Sequence, residues 1–127
     1  MTVFSTPLTV WVLGTWTSQL LDISLQSFPD STDNKWGELK WLETNTTDEA
    51  TAKIRIDVLD SDDVVRQKEL AGNTILNDVS GRFNKSIDLS KYSNIATRDI
   101  KLRFKLFHLS GSKPTVDNIE LKTKNDW

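Results

Sequence analysis

Apolar and polar residues alternate with period two in several stretches of the chain, which is the spacing of half-buried strands and not of helices. Lys53-Ile54-Arg55-Ile56-Asp57-Val58 puts Ile54, Ile56 and Val58 on one face. Ile100 to Leu106 does the same with Ile100, Leu102, Phe104 and Leu106. Trp36-Gly37-Glu38-Leu39-Lys40-Trp41 turns Leu39 and Trp41 inward, which leaves Trp36 on the opposite face. Asn118 to Lys122 is shorter and alike. Thr9–Val12, Thr15–Ser24, Val65–Leu70 and Phe83–Leu89 are further strand candidates. Between them lie Ser27–Lys35, Glu43–Glu49, Asp60–Asp63, Ala71–Thr74 and Ser110–Pro114, rich in residues that bond their own backbone and so make turns. No stretch supports three helical turns, and Asp88–Ser93 has room for one. Strands with one dry and one wet face belong to antiparallel sheets. The pattern predicts an all-β fold, an antiparallel β-sandwich of the jelly-roll kind with about eight strands. It predicts one module spanning residues 1–127.

Composition sharpens this picture mainly by exclusion. The 127 residues carry 16 basic and 18 acidic side chains, a net charge of −2. That balance argues against a general nucleic-acid binder and against a polybasic membrane anchor. No apolar run approaches the ~20 residues of a spanning helix. Cysteine is absent, so disulfides, thiolate catalysis and cysteine-based metal sites are excluded. One histidine, His108, cannot form a multi-histidine metal site within the chain. The first basic residue is Lys35, so the opening segment lacks the charged start of a secretion signal.

Three segments together resemble a known kind of module. Gly14-Thr15-Trp16-Thr17-Ser18-Gln19-Leu20-Leu21-Asp22-Ile23 is similar to the opening strand of certain jelly rolls. Trp36–Trp41 resembles their second element, with an apolar position two before a Trp. Ile100–Leu106, followed by Lys113-Pro114-Thr115-Val116-Asp117-Asn118-Ile119-Glu120-Leu121, resembles their closing pair. The resemblance is to galactose-binding-like and laminin-G-like sandwich modules, and it runs from Gly14 to Leu121. It implies a domain appended to an extracellular glycosidase, a cell-surface protein or a phage tail protein. Ser27–Lys35 is long for the first connection, and Val64–Val79 has no counterpart.

A sugar ring presents a face of C–H bonds that stacks on an indole, while its hydroxyls need polar partners. The chain has five Trp residues. Alternation gives Trp41 to the core, Trp11 has apolar neighbours on both sides, and Trp127 is terminal. Trp16 and Trp36 are out of phase with the core and are the candidate stacking residues; the competing role is to cover the core's rim. Lys101, Arg103 and Lys105 alternate on one strand and Lys53 and Arg55 on another, with Lys40 a further candidate for the same face. Lys101 and Arg103 are the candidate partners for sugar hydroxyls or acidic groups. The alternative is a cross-strand ladder with Glu38, Asp57 and Glu120. Asp60, Asp62 and Asp63 are candidate ligands for a structural calcium, against a solvated hairpin turn. No other cofactor is implied. Asn45-Thr46-Thr47 and Asn84-Lys85-Ser86 fit the glycosylation pattern.

Signals for catalysis are missing. No Gly-x-Ser-x-Gly elbow accompanies His108, which falls where a strand ends, and the five glycines form no phosphate loop. Eighteen acids make chance carboxylate pairs inevitable. The sequence therefore leads to a non-catalytic carbohydrate-binding module, extracellular or surface-associated and part of a larger multidomain protein. Its partner would be a polysaccharide or glycan, with no nucleic acid and no membrane. The alternative is a structural β-sandwich of a phage tail, virion or surface layer with no ligand of its own.

Overall fold

The computed structural model of the protein describes residues 12–21, 35–75, 78 and 80–124. Eight strands follow one another: β1 (Val12–Thr17), β2 (Trp36–Thr44), β3 (Ala52–Leu59), β4 (Val65–Leu70), β5 (Asn73–Thr74), β6 (Lys85–Asp88), β7 (Lys101–His108) and β8 (Thr115–Thr123). They form two four-stranded sheets, ordered β1-β7-β3-β4 and β5-β6-β2-β8. Every strand pairing is antiparallel. The pairing is nested, β1 with β7 and β2 with β6, so the chain is rolled up on itself and β8 is added on the free side of β2. The expected single turn is a 3-10 turn over Leu89–Lys91, capped by the Asp88 carboxylate accepting from the Ser90 N–H. Trp11, Trp127 and most of Ser27–Lys35 lie outside the described residues.

The core follows the alternation. Ile54, Ile56 and Val58 of β3 and Leu102, Phe104 and Leu106 of β7 are buried together with Leu39 and Trp41 of the other sheet. Trp41 meets Phe104 edge-on across the two layers, with ring centroids 5.6 Å apart at 89°. This arrangement turns the positive ring edge toward a negative ring face. Gly72 is placed where only glycine fits, because a Cβ there would come within 2.6 Å of the Trp41 ring.

Register shifts break the alternation at four points, one in β2, one in β8 and two in β4. In β2, Trp36 pairs with Thr123 while Leu39 pairs with Leu121, so three steps on one strand oppose two on the other. The extra residue shifts the phase by one and brings Trp36 round to the core side. In β8 the extra residue falls at Asn118, whose φ is 54°. Val116 before it and Thr123 after it are therefore both buried despite their odd spacing. In β4 one falls between Gln67 and Leu70, where Glu69 has φ 52°, and a second between Val65 and Gln67.

Candidate functional site

The four residues predicted to bind sugar are not brought together. Trp36 is 3% exposed, and its indole N–H donates to the Arg98 carbonyl at 2.7 Å. The expectation that Trp36 faces outward fails because of the β2 bulge. Trp16 is half-buried on edge strand β1, opposite Phe104 and 5.9 Å from its ring. It packs against the core and does not pair with Trp36, which sits in the other sheet. Lys101 and Arg103 point out from the far side of the β7 pleat, away from Phe104.

The basic face exists, but acids occupy it. β3 and β7 are neighbours, so Lys53, Arg55, Lys101, Arg103 and Lys105 do share one sheet face. Lys40 belongs to the other sheet, where it pairs with Glu38 and Glu120. Lys101 pairs with Asp63 at 2.6 Å, and Arg55 with Glu49. Asp57, 1% exposed, is the hub. Its carboxylate accepts from Arg103 Nη2 at 2.7 Å, lies 3.5 Å from Lys105 Nζ, and accepts from the Glu69 N–H at 2.8 Å. Burial opposes ionisation of Asp57, but the Glu69 N–H, the Arg103 bond and both positive charges outweigh it and hold its pKa below the ordinary value. Of the acids expected in a ladder only Asp57 is on this face, since Glu38 and Glu120 meet Lys40 in the other sheet. Glu49, Asp63 and Glu69 pair with Arg55, Lys101 and Lys105, and the Glu69 bulge lets an N–H reach Asp57.

The acidic turn joins β3 to β4, and its carboxylates bond within the protein. One oxygen of Asp60 accepts from the N–H groups of Asp62 and Val64, and the other accepts from Arg66 Nε at 2.8 Å. Those donors, the Val64 N–H foremost, hold the Asp60 pKa low. Asp63 is turned to Lys101. Among the described residues no group of three potential metal ligands forms. His108 is fully buried at the end of β7, with its Nε2 against the Gly111 carbonyl at 2.9 Å, a role in closing the β7–β8 loop.

A polar concavity among the described residues lies elsewhere, at the end of the sandwich where β2 runs out. It encloses about 370 Å³ and is lined by Glu43, Asn45, Thr46, Thr47, Glu49, Thr74, Asn84 and Lys85. Its floor follows from β2. Leu39, Trp41 and Glu43 share the inward phase, so the alternation ends by placing a carboxylate at the core's rim. Glu43 is 7% exposed, and its Oε1 accepts from the Trp41 indole N–H at 2.8 Å. Its Oε2 accepts from the Thr46 hydroxyl. Asn84 clamps the strand end, since its amide N–H donates to the Glu43 carbonyl and its carbonyl oxygen accepts from the Glu43 N–H. That clamp occupies the Asn84 amide, and the Asn45 amide is likewise spent on the Lys113 carbonyl. On the far wall, Lys85 Nζ donates to Thr74 Oγ1 at 3.1 Å.

Sequence reasoning missed this cleft. Glu43–Glu49 reads as a polar connection, and nothing local shows that Thr74 and Lys85 close over it. The available signal is the phase of β2, which carries on through Trp41 to Glu43. No family model, curated protein or solved structure matches the chain.

Proposed function

We propose that this sandwich is a non-catalytic module that holds a glycan in the cleft above Glu43 and so attaches a larger extracellular or surface protein to a polysaccharide. The observation that carries the reading is the lining itself. Three threonine hydroxyls, an ammonium group and two carboxylates converge in one concavity, the mixture of donors and acceptors that sugar hydroxyls require. Both carboxylates are already engaged, Glu43 by Trp41 and Thr46 and Glu49 by Arg55, so neither stands ready as a general acid or base. The resemblance to galactose-binding-like modules agrees with this role. Stacking by Trp16 and Trp36 is not part of it.

Affinity electrophoresis against a panel of soluble polysaccharides tests the proposal. The expected result is retardation by at least one polymer, lost in Thr47→Trp, which fills the cleft from an exposed position. Retardation unchanged in that variant, or absent with every polymer, overturns it.

The structural reading draws on a different observation. Edge strand β1 carries no charge from Val12 to Thr17, whereas edge strands β4 and β8 carry charges and bulges. Uncharged edges invite another strand. A stable dimer in solution, with no retardation by any polymer, would favour that role.

A further inference from the structure

The cleft's hydroxyl protons have fixed directions, and this defines what they can read. An ionised carboxylate only accepts hydrogen bonds, an ammonium only donates, and a hydroxyl does both. Glu43 Oε2 is bonded to Thr46 Oγ1, so the Thr46 proton is committed to the carboxylate. Thr46 therefore offers the cleft only lone pairs. Glu43 cannot turn away, since its other oxygen is tied to the Trp41 indole inside the core. Thr74 is the mirror case. Its oxygen accepts from Lys85 Nζ, which leaves the Thr74 proton for another partner. Both polarised hydroxyls line the same cleft. Register sets Thr74 there, since Trp41 pairs with Lys85 and Lys85 with Thr74 in a single row across β2, β6 and β5, while the bond to Glu43 holds Thr46 just past the end of β2.

We propose that Thr46 and Thr74 together read two neighbouring hydroxyls of an uncharged sugar, Thr46 accepting from one and Thr74 donating to the other. This rests on the glycan reading above and names its ligand class. A carboxylate or sulfate group supplies acceptors only, so it leaves Thr46 unmatched, and it meets the two carboxylates of Glu43 and Glu49 against one ammonium, Lys85. An ammonium supplies donors only and leaves Thr74 unmatched. A neutral diol satisfies both. Among the described residues no aromatic ring lines the cleft, so recognition there is by hydrogen bonds. Glu43 is a positioning residue that acts through Thr46.

The test uses the full chain in affinity gels with neutral polymers and with uronic-acid or sulfated ones. Wild type is expected to be retarded by a neutral polymer in preference to the acidic ones. Thr46→Val and Thr74→Val keep shape and remove the hydroxyl, and each is expected to weaken retardation about 3- to 10-fold, one neutral hydrogen bond's worth. Thr46→Ser is expected to restore binding. Thr74→Val lies on an exposed two-residue strand and so reports on recognition without disturbing the core. A polymer bound equally by wild type and both valine variants, or an acidic polymer preferred over every neutral one, overturns this inference while leaving glycan binding intact. Binding of no polymer at all overturns both.

Discussion

Asp57 and Glu43 are both buried carboxylates in a protein of mixed charge, and their surroundings differ. Asp57 lies on the outer face of one sheet under Arg103 and Lys105, with a backbone N–H supplied by the Glu69 bulge of β4. Glu43 lies at the inner rim of the other sheet and is held by two neutral donors, the Trp41 indole and the Thr46 hydroxyl. The first arrangement spends every group on its neighbours and leaves a neutralised surface. The second fixes a hydroxyl at the wall of an open cleft and leaves its lone pairs for something else. An abundance of like charges on a face thus says little about ligands until the opposing charges are placed. A single carboxylate with neutral partners beside a concavity says more.

The comparison predicts unequal consequences for the two carboxylates. Asp57→Ala takes the carboxylate from Arg103 and the acceptor from the Glu69 N–H, while Lys105 keeps Glu69; loss of one partner from a buried ion pair costs about 3–5 kcal/mol. Arg103 keeps some solvent, so the lower end is expected, read by urea unfolding. Glu43→Ala leaves one buried donor, the Trp41 N–H, without its acceptor. A smaller loss of about 1–3 kcal/mol is expected. Equal losses would show that the two sites do not differ as described.

Gly72→Ala probes the floor from the other side. Its new Cβ would press on the Trp41 ring at 2.6 Å, so a destabilisation of about 1–3 kcal/mol is expected from overpacking. If Trp41 yields instead, the Glu43 bond is disturbed, and glycan retardation should fall along with stability. Unchanged stability would mean that Trp41 is not held where Glu43 needs it.

Legibility in the sequence divides along the same line. The core could be read directly, because period two over β3 and β7 survives unbroken in the pairing from Ala52–His108 to Leu59–Lys101. Trp36 could not be placed, because a bulge in β2 reverses the phase and no residue type announces it. The cation face was correctly gathered from β3 and β7, yet its neutralisation depends on Asp63 and Glu69 from the β3–β4 hairpin. The cleft was invisible for a related reason. Thr46 and Thr74 are distant in sequence and come to line one cleft only through the order β5-β6-β2 in the sheet.

A milder effect should appear with pH. The pKa values of Asp57, Asp60 and Asp78 all lie below their ordinary 3.8, Asp78 chiefly through the Phe83 N–H and the Ser80 hydroxyl. A carboxyl whose folded pKa is depressed contributes stability that is complete above its unfolded value and lost as pH falls through the folded one. Stability should therefore be flat with respect to these groups above about pH 5 and decline below 4. Asp57→Asn should flatten that acid limb. An acid limb of equal slope in the variant would remove Asp57 from the account.

Backbone amide chemical shifts followed during titration with a neutral oligosaccharide from the retarding polymer locate the bound ligand on the molecule. The account predicts saturable changes at Thr46, Thr47, Thr74 and Lys85, with Lys101, Arg103 and Lys105 unmoved. Changes centred on the Lys101–Lys105 face, or on Trp16, with the cleft silent, would contradict it.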